Sequence, residues 1–80
     1  MYIAGSNNPG YLPQNVEEFD DFDDAKRYII DEMLFDADNF AEGGDEDKAE
    51  DISNAAEDVN LESGPFEILT SGIVWWVVEE

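Results

Sequence analysis

Apolar side chains recur every three or four residues over positions 22–41, which is the period of an α-helix with one buried face. The apolar positions are Phe22, Ala25, Ile29, Ile30, Met33, Leu34, Ala37, Phe40 and Ala41. At ~100° per residue they cover about half of the circumference. So wide an arc predicts two covering neighbours rather than one. Asp20 or Asp21 can cap the first turn, and Gly43 with Gly44 ends the helix.

A second, shorter helix is predicted after Asp45, whose carboxylate can cap its first turn. Its apolar side consists of Ala49, Ile52, Ala55, Ala56 and Val59. Most of these residues are small, so the second helix can approach the first closely. Residues 60–65 end it with an Asn, a Gly and a Pro.

Strand signals come before and after the two helices. Met1–Ala4 contains β-favouring residues and predicts a first strand. Residues 5–13 predict an ordered loop, in which Tyr11 and Leu12 supply apolar anchors. Val16–Phe19 is interpreted as a short extended piece at an edge.

The last part of the sequence predicts a β-hairpin. Phe66–Thr70 and Ile73–Val78 are joined by Ser71-Gly72, a typical two-residue turn. The predicted fold is therefore α+β in the order β-α-α-β-β, with two helices packed on a three-stranded antiparallel sheet. The first strand pairs with one hairpin strand, the first helix crosses the sheet, and the second helix lies against the first. Residues 1–80 are predicted to form a single acidic domain.

Trp75 and Trp76 are neighbours on a predicted strand and therefore point to opposite faces of the sheet. One is expected in the core. We expect the N-terminal loop to cover the other, and the alternative is that it is exposed for a partner.

The composition predicts a folded chain with unusual charge. The sequence is 42% hydrophobic and 12% aromatic, which is more than disordered acidic chains contain. Yet 22 Asp and Glu residues face only Lys26, Arg27 and Lys48, so the net charge is −19. Such a chain is repelled by nucleic acids and anionic membranes, and it is attracted by basic protein surfaces.

Several kinds of chemistry are disfavoured by the residue types. The chain has no cysteine and no histidine, which removes thiolate nucleophiles, zinc–thiolate sites and the commonest general base. Neither Asp36 nor Asp38 begins a calcium-binding EF-hand loop, because Phe40 then occupies a ligand position. Phosphate-binding glycine motifs are missing. We expect no enzymatic activity, no cofactor and no specific metal site, while loose divalent binding by residues 45–47 stays open.

The N-terminal residues lack the basic and apolar regions of a secretion signal. The longest apolar run, Ile73–Val78, is too short to span a bilayer. These features predict a cytoplasmic protein.

The negative charge is concentrated in the helical part, since sixteen of the 22 acidic residues lie between Glu17 and Asp51. On the first helix, Asp24, Asp31, Asp38 and Glu42 fall within a narrow sector opposite the apolar arc. The first three follow one another at roughly 10 Å along the axis. On the second helix, one row is Glu46, Glu50 and Glu57, and a row beside it is Asp47, Asp51 and Asp58. Antiparallel helices would join these rows into one anionic surface.

This concentration of charge points to mimicry of a nucleic-acid backbone. Like charges one turn apart destabilise a helix, and solubility alone needs a net charge of only about 2 to 8. Carboxylates fixed on helices can enter a basic groove that otherwise holds phosphates. A merely solvated acidic face is the alternative.

Two aromatic residues, Tyr28 and Phe35, fall among these carboxylates and are candidate anchors for a partner. The alternative is that the loop with Tyr11 and Leu12, or the second helix, covers them. The predicted partner-binding residues are Asp24, Tyr28, Asp31, Phe35, Asp38, Glu42, Glu46 and Glu50.

In its small size, acidic helices and aromatic-rich antiparallel sheet, the chain resembles phage-encoded DNA-mimic inhibitors. These include anti-CRISPR and anti-restriction proteins and the uracil-glycosylase inhibitor. Some segments are also similar to small proteins common in phage genomes: 9–13 (Pro-Gly-Tyr-Leu-Pro) followed by Phe19, Phe22 and Ala25-Lys26, then 56–61 (Ala-Glu-Asp-Val-Asn-Leu) and 63–65 (Ser-Gly-Pro). The resemblance implies an inhibitor that blocks the DNA-binding groove of a host defence complex.

The predicted function is therefore a binding inhibitor, with an anti-CRISPR role favoured over an anti-restriction role. Its expected partner is a basic nucleic-acid-binding protein or nucleoprotein complex of the host, with no direct contact to nucleic acid or membrane. One alternative is a halophile domain whose acidity serves only solubility in brine. The other is a protein–protein adaptor that uses the tryptophan-containing sheet.

Overall fold

Four strands form one antiparallel sheet, and two helices cover one of its faces, in a computed structural model that describes residues 1–80. In chain order the elements are β1 (Tyr2–Asn7), β2 (Gln14–Phe19), α1 (Phe22–Glu42), α2 (Glu46–Asn60), β3 (Phe66–Thr70) and β4 (Ile73–Glu79). The strands lie side by side in the order β2-β1-β4-β3. The first and the last strand of the sequence are therefore the two central strands.

The α+β class is confirmed, but the prediction of a three-stranded sheet in the order β-α-α-β-β is wrong. The sheet has four strands and the order is β-β-α-α-β-β. The additional strand is β2, of which Val16–Phe19 had been interpreted only as an extended piece. β1 is also longer than predicted, because residues 5–7 continue the strand instead of starting the loop. The predicted pairing of the first strand with the hairpin is confirmed, since β1 pairs with β4 along its whole length.

The buried faces of both helices and the helix-facing side of the sheet share one core. Its buried residues are Ala4, Ala25, Ile29, Met33, Ala37, Ile52, Ala55, Ala56, Val59, Trp75 and Val77. α1 packs on β1, β2 and β4, while α2 packs on α1 and also on β3. Helix α2 therefore contacts both α1 and the sheet. The small side chains predicted to face inward on α2 do so.

The helix boundaries follow the predicted signals. The Asp45 carboxylate accepts a hydrogen bond from the backbone N–H of Lys48 at 3.2 Å and caps α2. Asp21 occupies the N-cap of α1 without a side-chain bond, so its contribution comes from negative charge near the helix start. After Gly43, the positive φ of Gly44 (90°) turns the chain away from α1.

The two helices are antiparallel, and one lysine ties their adjacent ends together. The Lys26 ammonium, in the first turns of α1, donates to the carbonyl oxygens of Asn60 and Glu62 at the end of α2, both at 3.1 Å. These carbonyls have no intrahelical partner, and a cation beside them also suits the helix dipole. The condition for joining the acidic rows of the two helices is therefore met.

The β3–β4 turn and the β1–β2 connection differ in length and in the exposure of their side chains. Ser71 and Gly72 both have positive φ, which suits the tight turn between β3 and β4 and confirms the predicted hairpin. The longer connection between β1 and β2 leaves Tyr11 and Leu12 exposed. The prediction that these two residues anchor the loop to the core is therefore wrong.

Candidate partner-binding surface

The solvent side of the helix pair is acidic, and we call it the acidic helix face. Its outward carboxylates are Asp24, Asp31, Asp38 and Glu42 on α1 and Glu46, Glu50 and Glu57 on α2, all of them exposed. On α1 they point outward because Ala25, Ile29 and Met33 are buried on the opposite side. All six carboxylates that the sequence predicted for the site belong to this face. The second row of α2, with Asp47, Asp51 and Asp58, lies on the side of α2 away from α1 and is also exposed.

Very little of this negative charge is compensated within the molecule. The single ion pair joins Lys48 and Asp45 at 3.9 Å, between two solvent-exposed side chains, and such pairs contribute little. The Lys26 ammonium is bound to backbone carbonyls, and Arg27 is exposed without an ion-pair partner. The carboxylates of the acidic helix face therefore remain free to meet external cations.

Tyr28, one of the two predicted anchors, bridges α1 and β2 instead of standing free. Its hydroxyl donates to the carbonyl oxygen of Asn15 at 2.6 Å, and its ring packs on that of Phe19 with centroids 5.3 Å apart. Burial, with the nearby Glu32 and Glu17 as further causes, raises the pKa of Tyr28 above its ordinary value. The cover over Tyr28 is thus β2, not the loop or the second helix that had been considered.

Phe35, the other predicted anchor, is 63% exposed and lies among the carboxylates of α1. Neither the loop nor α2 covers it, so the alternative of a covered Phe35 is wrong. Asp36, next in the chain, is half-buried, and this burial raises the pKa of its carboxyl. Of the eight predicted partner-binding residues, Tyr28 alone is held inside the fold.

Sequence reasoning missed an apolar groove that opens between the two helices within the acidic helix face. It is lined by Ile30 and Leu34 of α1, by Ser53, Ala56, Glu57 and Asn60 of α2, and by Leu61. Leu34 had been assigned to the buried arc of the first helix, yet it is 44% exposed. Leu61, which follows α2, is 82% exposed. The signal in the sequence was the width of the apolar arc, whose margin α2 does not cover.

The side of the sheet away from the helices is apolar, and we call it the open sheet face. Strand register places on it Ile3, Val16, Leu69, Val74, Trp76 and Val78, with Glu18 and Glu67 as its carboxylates. Trp75 points the other way and is 2% exposed, so the prediction of opposite faces is confirmed. Leu69, Val16 and Val78 are exposed.

The Trp76 ring packs against Gly5 of β1, which explains why residue 5 is glycine. A Cβ at Gly5 would come within 2.8 Å of Cζ2 of Trp76 and 3.1 Å of Cγ2 of Val16. The indole N–H of Trp76 donates to Oδ1 of Asn7 at 3.0 Å. Gly5 and Asn7, which were predicted to lie in the N-terminal loop, therefore cover part of Trp76, but they do so as residues of strand β1.

The carboxylates of the acidic helix face are separate points of charge, because no three acidic side chains converge closely enough to hold a metal ion. Neither helix is long and apolar enough to cross a membrane. No family model, curated protein or solved structure matches the chain.

Proposed function

We propose that this protein is an inhibitor that mimics nucleic-acid phosphates and occupies the basic DNA-binding groove of a bacterial defence complex. A CRISPR effector is the favoured target and a restriction enzyme the second. The observation that carries the proposal is the acidic helix face, whose exposed carboxylates lack internal cations. The protein would act in the cytoplasm of the host cell and would not bind nucleic acid itself.

The dimensions of the helix pair suit this role. α1 has 21 residues and is therefore about 31 Å long, a length comparable to ~9 base pairs of DNA at 3.4 Å each. Lys and Arg side chains bind carboxylates through the same charge-assisted hydrogen bonds that they form with phosphates. The core fixes the carboxylates on two packed helices, so less conformational entropy is lost on binding than with a flexible acidic tail.

The direct test is competition with DNA. Purified CRISPR effector complexes and restriction enzymes are titrated with the protein, and their DNA binding is measured by fluorescence anisotropy. We expect the protein to displace DNA from its target, and excess DNA to reverse the effect. Affinity should fall steeply between about 50 and about 500 mM salt, because cationic contacts carry the binding. Equal affinity at both salt concentrations would rule out the mechanism.

A matched pair of variants separates the acidic helix face from net charge. The helix variant combines Asp31→Asn, Asp38→Asn, Glu50→Gln and Glu57→Gln. The control variant combines Glu18→Gln, Glu67→Gln, Glu79→Gln and Glu80→Gln, which are exposed carboxylates outside the helices. Both variants change the net charge equally. We expect the helix variant alone to lose inhibition, and equal losses in both variants would contradict a specific surface.

The open sheet face supports a second candidate, a protein–protein adaptor. Six apolar side chains, including the half-buried Trp76, lie there with only two carboxylates among them. An adaptor of this kind would keep its partner when the helix carboxylates are neutralised. It would lose the partner when Leu69→Gln is introduced on the open sheet face, the reverse of the outcome expected for the phosphate mimic.

A further inference from the structure

The groove between α1 and α2 places apolar surface in the middle of the acidic helix face. It has a volume of about 540 Å³ and is formed where α2 presents small side chains, Ser53 and Ala56, opposite Leu34. Its floor is half-buried or buried, whereas Leu34 and Leu61 at its walls are 44% and 82% exposed. Within a phosphate mimic, these side chains have no counterpart in a nucleic-acid backbone.

Carboxylates border this groove on both helices. Asp31 and Asp38 lie three and four residues from Leu34 and are therefore its neighbours on the surface of α1. Glu57 lines the groove, and Glu50 lies one turn from Ser53. Each of these four side chains is exposed and without an ion-pair partner. The groove is thus an apolar strip with carboxylates along both helices, while Lys26 and Arg27 lie beside its Asn60 end.

Charge complementarity selects the occupant. A purely cationic segment would satisfy the rims and leave Leu34 and Leu61 in water. A neutral apolar segment would fill the groove and strip water from the carboxylates without pairing them, which is costly. A second copy of this chain would bring its own negative rims against these and would be repelled. A helix with one apolar stripe between lysines or arginines satisfies both requirements.

We infer that the groove between α1 and α2 binds a basic amphipathic helix, whose apolar side chain inserts between Leu34 and Leu61 while flanking cations pair with Asp31, Asp38 and Glu57. This inference rests on the proposed function and makes it narrower. The target surface would be a basic helix of the kind that enters the DNA major groove, not only a smooth cationic channel. Binding would then depend on apolar contact as well as on charge.

The test uses two synthetic peptides with the full 80-residue chain. The first peptide has 18 residues of Leu and Lys, with leucines at helical spacing on one face. The second has the same composition in an order that distributes the leucines around the helix, so both peptides have equal charge. Binding is measured by calorimetry in dilute buffer. We expect the amphipathic peptide to bind about tenfold more tightly, as burial of one apolar side chain implies.

Single substitutions locate the contact. Leu34→Gln and Leu61→Gln should each weaken the amphipathic peptide by about tenfold and leave the permuted peptide unchanged. Leu12→Gln is the matched control, because Leu12 is an exposed leucine in the β1–β2 connection that does not line the groove. Chemical-shift changes on binding should centre on Ile30, Ser53 and Leu61, not on the strands. Circular dichroism confirms that each variant is folded before binding is compared.

The outcomes separate this inference from the proposed function. Equal affinity for both peptides, or no effect of Leu34→Gln and Leu61→Gln, overturns the groove as the binding site. Shifts confined to Trp76 and Val74 overturn it as well and assign the peptide to the open sheet face. If either result occurs while the protein still competes with DNA, the proposed function is retained and only the groove inference is wrong. Loss of DNA competition with intact groove binding contradicts the proposed function instead.

Discussion

The helix layer and the open sheet face of this small protein have nearly opposite surface chemistry. Helices α1 and α2 carry 13 of the 22 acidic residues, whereas the open sheet face carries two among six apolar side chains. A coat of charge that served only solubility would cover the exposed apolar face first. The charge is instead concentrated on one side, where like charges repel one another and oppose helix formation. This distribution favours a directional role for the charge.

Strands and helices place their outward residues by different rules. A strand presents alternate residues to its two faces, so Trp75 enters the core only if Trp76 points away from it. A helix has a sector of its circumference free of the core, and residues in that sector can be carboxylates without disturbing the packing. Alternation sets which strand residues face outward but not their type, so the apolar open sheet face and the acidic helix face are both properties of the sequence.

The largest expected effect tests whether the two sheet faces differ in burial. Trp75→Ala should lower the free energy of unfolding by about 3–5 kcal/mol, because it leaves a cavity in the core. Trp76→Ala should cost only about 1–2 kcal/mol, from a half-buried ring and one hydrogen bond. Urea unfolding followed by circular dichroism measures both values. Equal losses would mean that the open sheet face is covered.

A smaller effect is expected at Gly5. Gly5→Ala should cost about 1–3 kcal/mol, because the new methyl group displaces the Trp76 ring. Gly64→Ala is the control, since a Cβ there meets no atom within 4 Å. In the background of Trp76→Ala the cost of Gly5→Ala should shrink. A cost that stays the same in that background would place the strain elsewhere.

Neutralising the helix carboxylates should increase the free energy of unfolding instead of lowering it. The four-substitution helix variant described above should be more stable by about 1 kcal/mol in dilute buffer, because repulsion within the helices is relieved. The gain should disappear in ~1 M salt through screening. The control variant should gain less. The unmodified chain should be folded in dilute buffer; if it folds only in molar salt, the halophile interpretation replaces the phosphate mimic.

Tyr28→Phe tests the contact between α1 and β2 and should cost about 0.5–1 kcal/mol at neutral pH, from one lost hydrogen bond. The pKa of Tyr28 is raised in the folded state, so its contribution is complete below the unfolded value of 10.0 and is lost as pH rises through the folded pKa. Above pH 10, the free energy of unfolding should therefore fall less with pH in Tyr28→Phe than in the unmodified protein. Part of this fall should remain in Tyr28→Phe, because the variant keeps Tyr2, whose pKa is raised mainly by Glu79.

The smallest effect is expected at Asp36. Burial raises the pKa of its carboxyl, so the folded state favours the protonated form and loses stability as pH rises from the unfolded value of 3.8 through the folded pKa. Asp36→Asn should stabilise the protein at pH 7 and give no gain at about pH 3, where the carboxyl is protonated in both states. Asp31→Asn, an exposed change in the middle of the same helix, is the control for the loss of one negative charge. Equal gains from both would contradict a burial effect.

The sequence predicted those elements whose residues are half buried with a regular period. Helix α1 and the hairpin of β3 and β4 follow from apolar spacing and from Ser71-Gly72. Strand β2 was not counted because nearly all its side chains are exposed, so it carries no apolar alternation and is held by backbone pairing with β1. Pairing with a distant strand leaves no local signal.

The candidate site was predictable to the same degree. Helical geometry alone placed Asp24, Asp31 and Asp38 on the outer side, and each is exposed. The environment of Tyr28 depended on β2, which had not been predicted as a strand. The groove at Leu34 depended on how completely the small residues of α2 cover the apolar arc, which periodicity does not specify.

The position of β4 has a consequence for folding. β4 is the last element of the sequence, yet it lies between β1 and β3 and supplies Trp75 and Val77 to the core. Its partner β1 is about seventy residues away along the chain, so their pairing closes a long loop and gives the fold a high contact order. During synthesis, the preceding elements leave the ribosome with the centre of their sheet missing, and their apolar faces stay uncovered until residues 73–79 emerge.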